Sequence, residues 1–176
     1  MAPRTYTTIG GEVLDLSGLS PDHARYFDEA FDLAWRTLQS GEGQGPLAPR
    51  GFNEWLNTTR NPLLRPTSGF VTREVWAHPL YRALHDLDMR LGMKQGYVRA
   101  PRHKRWLQDP RQDTFLPVAQ IAARKRVQVK AVHKAIERGD LVAVAGDSEL
   151  PGPRTIRLVS ARSAAAWRPK RVRASA

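Results

Sequence analysis

Residues 118–144 read VAQIAARKRVQVKAVHKAIERGDLVAV, and the fold turns on how they are divided. Val118, Ile121 and Ala122 share one face of a first short helix, which Pro117 can open. Val127 follows a turn. Val132, Ala135 and Ile136 then share one face of a second helix over about 129–138, with Gly139 suited to close it. Gln120, Arg124 and Lys125 point away from the first apolar face. Lys130, His133, Lys134 and Glu137 point away from the second. Arg126 stands in the intervening turn, where Gly is the easier residue. Two short helices joined by about four residues predict a helix-turn-helix.

The residues that follow extend the unit. Residues 141–145 and 155–159 have strand patterns and predict an antiparallel hairpin around GDSELPGP, residues 146–153. Arg154 and Arg157 would sit on that hairpin as a wing, within reach of phosphate. Ser160 can cap a short helix over 161–167, with Trp167 packing it back onto the helix pair. The tail RPKRVRASA is cationic and poor in apolar residues, so residues 169–176 predict a basic disordered tail.

Residues 116–167 resemble the winged helix-turn-helix of the excisionase and MerR-like DNA-binding families. Ile121, Ala122, Val127, Val132, Ile136, Gly139, Leu141 and Trp167 occupy the matching apolar and turn positions. The chain departs from the pattern in three places. Arg126 replaces the usual turn Gly, Gln120 replaces an acidic residue, and the wing loop is longer. The resemblance implies sequence-specific binding of double-stranded DNA.

Charge points the same way. Residues 1–93 hold 9 Lys and Arg against 11 Asp and Glu, while residues 94–176 hold 19 against 6. The whole excess of the formal +11 therefore lies in the C-terminal half, the footprint expected where a polyanion binds. Arg124, Lys125 and Arg126 cluster near where a DNA backbone should pass. Gln128, Lys130, His133 and Lys134 line the exposed side of the second helix, where Lys can read guanine and Gln adenine. Arg154, Arg157, Lys170 and Arg171 would hold phosphate and carry no sequence information.

Upstream, residues 1–11 read as a flexible leader and residues 12–96 as a helical domain, whose first stretch EVLDLSGL, residues 12–19, reads as a short strand or an extended arm. SPDHARYFDEAFDLAWRTLQSG, residues 20–41, has a Ser cap, Pro at the first turn, and Ala24, Phe27, Phe31, Ala34, Trp35 and Leu38 on one face. Leu80, Leu84, Leu87 and Leu91 mark a second long helix, started or kinked by Pro79. The aromatics Phe27, Phe31, Trp35, Trp55, Phe70, Trp76 and Tyr81 are read as core. Residues 97–113 carry RHKRW and two Pro and read as a basic linker.

The sequence predicts a mainly helical protein, a helical N-terminal domain followed at 114–168 by a winged helix-turn-helix with a hairpin wing. A single such module contacts few base pairs, so a homodimer or protein partner is expected through residues 12–96. Two other readings stay open: a protein adaptor using the basic face, and an RNA-binding protein, since polycations and Trp106 serve RNA as well. Catalysis is not expected. The five His lack HExxH spacing, there is no Cys, GEGQG at 41–45 lacks a strand-to-helix context, and no GxSxG appears. No cofactor or metal is implied, although His78, His85, Asp86 and Asp88 lie near one another in sequence. The N-terminus lacks the apolar core of a secretory signal, and no apolar run approaches bilayer length. A cytoplasmic, nucleoid-associated protein is the expectation.

Overall fold

The computed structural model describes residues 4–41, 44–102, 104–147 and 155–169. Its first unit opens with an antiparallel hairpin, β1 (Thr5–Thr7) and β2 (Val13–Asp15), with Tyr6 opposite Leu14. Helix α1 (Pro21–Gln39) follows, capped by Ser20 through the His23 amide. Its spacing puts Phe27, Ala30, Phe31, Ala34 and Leu38 inward. Short α2 (Asn53–Leu56) and α3 (Arg73–Ala77) lead to α4 (Pro79–Lys94). Pro79 takes the first-turn position, where its missing N–H costs nothing, and His78 closes α3 and caps α4. Leu80, Leu84, Leu87 and Leu91 are all buried, as their spacing requires.

The second unit is built on a three-stranded antiparallel sheet of order β3-β5-β4. Strand β3 (Phe115–Pro117) runs into α5 (Val118–Lys125), a turn, and α6 (Val129–Glu137). Strands β4 (Ala143–Asp147) and β5 (Thr155–Ser160) follow, then α7 (Ala161–Ala166), capped by Ser160 through the Ser163 amide. Leu116, Ile121, Val132, Ala135, Leu141, Val159 and Trp167 form its core. That core is separate from the aromatic core of the first unit.

The expected fold class needs correction. The chain is a mixed α/β protein with seven α-helices and two small sheets among the described residues. The elements after residue 114 do not make a distinct winged-helix arrangement. The β4–β5 hairpin is part of a three-stranded sheet in which β5 is central and β3 occupies its other edge. The hairpin tip, with Arg154, lies outside the described residues. The N-terminal half, read as a helical domain, begins with the hairpin β1–β2. Residues 5–7, read as part of a loose leader, form β1, and Tyr6 is wholly buried. Three-residue strands are too short to display the alternation that would announce them.

Buried charge ties the first unit together. The Asp86 carboxylate accepts from the Tyr6 hydroxyl at 2.8 Å, the Ile9 amide at 2.7 Å and Arg90 Nε at 2.7 Å. Arg90 donates onward to the carbonyls of Thr7, Trp106 and Gln108. Burial opposes the Arg90 charge, but Tyr6 and Asp86 outweigh it and hold its pKa above the ordinary value. Burial, then Asp86, pushes the Tyr6 phenol well up. The stretch read as a basic linker is thereby fastened to α4. It also accepts the Thr7 amide at Pro110 O, 2.7 Å, and lays the Arg111 guanidinium over the Phe31 ring at 4.0 Å.

Candidate nucleic-acid interface

Helices α5 and α6 end by the same device. At the end of α5 the Val127 amide donates to Ala122 O at 3.0 Å and the Arg126 amide to Ala123 O at 3.2 Å. At the end of α6 the Asp140 amide donates to Ala135 O at 2.9 Å and the Gly139 amide to Ile136 O at 3.0 Å. This pairing satisfies the last helical carbonyls and needs one left-handed residue. Gly139 fills that position after α6 with φ 78° and no strain. Arg126 fills it after α5 with φ 53° and ψ 48°. For a residue with a Cβ that conformation costs about 1–2 kcal/mol.

The three predicted turn cations divide. Arg124 folds back and donates to Gly10 O in the β1–β2 loop, and Gln120 Nε2 reaches the same carbonyl at 3.3 Å. Lys125 Nζ donates to Trp167 O at 2.9 Å and Ala165 O at 3.4 Å, satisfying the end of α7. Burial, then Arg168 and Arg124, lowers the Lys125 pKa; burial also lowers that of Arg124. Only Arg126 is left facing solvent with no carbonyl partner among the described residues.

Along α6, the core takes Val132 and Ala135, with Ile136 packed against it. The opposite side shows Lys130, Lys134 and Glu137 exposed and His133 half-buried. Gln128 is the N-cap residue, yet its side chain makes no capping bond and remains exposed. No acidic residue occupies the first turn. Arg157 is exposed on β5, while Arg138 is tied to Asp140 at 2.8 Å. Among the described residues, Arg126, Lys130, Lys134 and Arg157 have no acidic partner within 4.0 Å. Lys170 and Arg171 lie outside the described residues.

Two local costs therefore occur at the start of α6 and along it. Arg126 holds an unfavourable backbone conformation. Lys130 and Lys134, four residues apart with like charge, cost roughly 0.2–0.5 kcal/mol more. A surface shaped only for stability would have Gly at 126 and no like-charged pair four residues apart on the helix. The uncapped α6 N-terminus adds a partial positive charge at that end.

Sequence reasoning missed the clasp that orients these residues. Gly11 lies so close to Leu116 that a Cβ there would sit 2.3 Å from its Cδ1. Val13 packs against the second core, so the β1–β2 hairpin touches both units. Nothing local in either segment signals a contact between residues more than a hundred positions apart.

Among the described residues no cluster of three or more His, Asp or Glu could hold a metal ion, and no helix is long and apolar enough to cross a membrane. Comparison of the chain with protein-family models, curated proteins and solved structures finds no match.

Proposed function

We propose that this chain is a sequence-specific duplex DNA-binding protein, a transcriptional regulator or excisionase-like accessory factor, that reads base edges with α6. The observation that carries the reading is the strained, exposed Arg126 followed by exposed Lys130 and Lys134, which have no acidic partner among the described residues. A recognition helix presents its N-terminal residues to the bases. Gln128 and Lys130 stand at that end, suited to adenine and guanine respectively. Arg126, Lys134 and Arg157 flank them as phosphate contacts, which position the protein without specifying sequence. Arg124 and Lys125 act one step removed, by fixing α5 to the β1–β2 loop and to α7.

Binding to random duplex, single-stranded DNA and RNA, each titrated with salt, tests the proposal. Duplex preference is expected, with log affinity falling by about 0.9 per phosphate contact for each tenfold rise in salt. No binding at low salt, or equal binding to all three, would reject it.

A further inference from the structure

We infer that the first unit carries a self-association surface centred on Phe70, Val71 and Trp76, and that its occupant is a second copy of this chain. These side chains are 75%, 42% and 54% exposed, against the expectation that both aromatics lie in the core. Phe70 is not on a loose loop. Its amide donates to Thr67 O at 3.0 Å, and its carbonyl accepts from the Thr67 hydroxyl at 2.6 Å. The Gly69 amide closes the turn onto Leu64 O at 2.9 Å, and Ser68 holds a left-handed φ of 52°. A bonded turn with a strained residue thus displays a large aromatic ring to water. Both features cost free energy in an isolated chain, and rigid exposed aromatics are what interfaces use as anchors.

A receptor for such an anchor lies close by. Trp76 of α3, His85, Met89 and Met93 of α4 and Ile9 of the β1–β2 loop line an open groove of about 350 Å³, whose wall also holds the paired charges of Glu12 and Arg82 and the Asp86 carboxylate. Trp76 belongs to both features: it is half exposed and packs against His85 at 5.1 Å between ring centroids. An anchor and a groove joined through Trp76 on one chain are what a two-fold contact requires, since each copy then gives and receives the same surface.

Charge selects the occupant. Arg73 and Glu74, the first two residues of α3, are both exposed beside the anchor and opposite in sign. In a two-fold pairing, Arg73 of one copy can meet Glu74 of the other. The rim is neutral, so it favours neither a strongly acidic nor a strongly basic partner. Residues 1–93 carry a net −2, so two copies meet there with little repulsion, whereas the +13 of residues 94–176 would oppose contact through the other half. The need for two copies also rests on the DNA reading, because one α6 spans few base pairs.

Sedimentation velocity of the full chain without nucleic acid tests the surface apart from DNA binding. The wild-type chain should dimerise at micromolar concentrations. Phe70→Glu should weaken the dimer at least tenfold with an unchanged melting temperature, because Phe70 packs little in its own chain. Arg73→Glu should weaken it less, and Arg73→Glu with Glu74→Arg should restore it. A chain monomeric at every concentration, a dimer indifferent to Phe70→Glu, or a charge swap that restores nothing would overturn the inference. Loss of DNA binding with an intact dimer would instead reject only the DNA reading.

Discussion

The two units of this protein use charge in opposite ways. In the first, the strongest ionic groups face inward: Asp86 and Arg90 are buried and span β1, α4 and the segment around Trp106. At its surface, Arg4 meets Asp28 and Arg82 meets Glu12. In the second, the cations of α6 and its preceding turn face water without acidic partners among the described residues. Charge paired within a unit is spent on holding that unit's shape. Charge left unpaired, on a face that the fold would prefer otherwise, is available to something outside the chain.

Substitutions should break this contrast in a graded way. Arg90→Ala should cost the most, roughly 3–5 kcal/mol, because it strands Asp86 as a buried charge and frees three carbonyls at once. Urea unfolding measures it, and a loss under 1 kcal/mol would deny that the network holds the unit. Arg126→Gly should act in the reverse sense. Relief of the left-handed strain should raise stability by about 1 kcal/mol. If Arg126 contacts phosphate, the same change should reduce the salt slope of duplex binding by about 0.9. A variant that is destabilised would show that the side chain serves the fold.

The smallest effect belongs to pH. Burial, then the neighbouring His23, lowers the His78 pKa. Its Nδ1 accepts the Leu80 amide at 3.2 Å, a bond that requires an unprotonated nitrogen. A lowered native pKa means the unfolded chain takes up the proton first. This contribution is therefore complete above the ordinary imidazole value of about 6.5 and is lost as pH falls through the lower native value. His78→Asn keeps a capping acceptor and should flatten that part of the stability profile. An unchanged profile would remove His78 from the account.

Much of the scaffold was legible in the sequence, for reasons that name its limits. Helices α1, α4, α5 and α6 each repeat apolar residues at helical spacing for long enough to be recognised, and Ser20, Pro79 and Gly139 mark their ends. Strands β1 and β3 have three residues each and show no period at all, which is why the helical expectation failed. Phe70 and Trp76 were assigned to the core by residue type, but type does not say which way a turn points a ring. The separation of Arg126 from Arg124 and Lys125 was out of reach for a different reason. It depends on Gly10 and Trp167, which only the folded chain brings to α5.

The central claim is that α6 reads sequence while the other cations only attract. A duplex selected from a random library, compared with random duplex, measures this as a ratio of affinities. Lys130→Ala should cost about 1–3 kcal/mol on the selected site and much less on random DNA, shrinking the ratio. Arg171→Ala should weaken both alike and leave the ratio unchanged. Equal losses on both duplexes from Lys130→Ala would contradict the account, because α6 would then be one more basic surface.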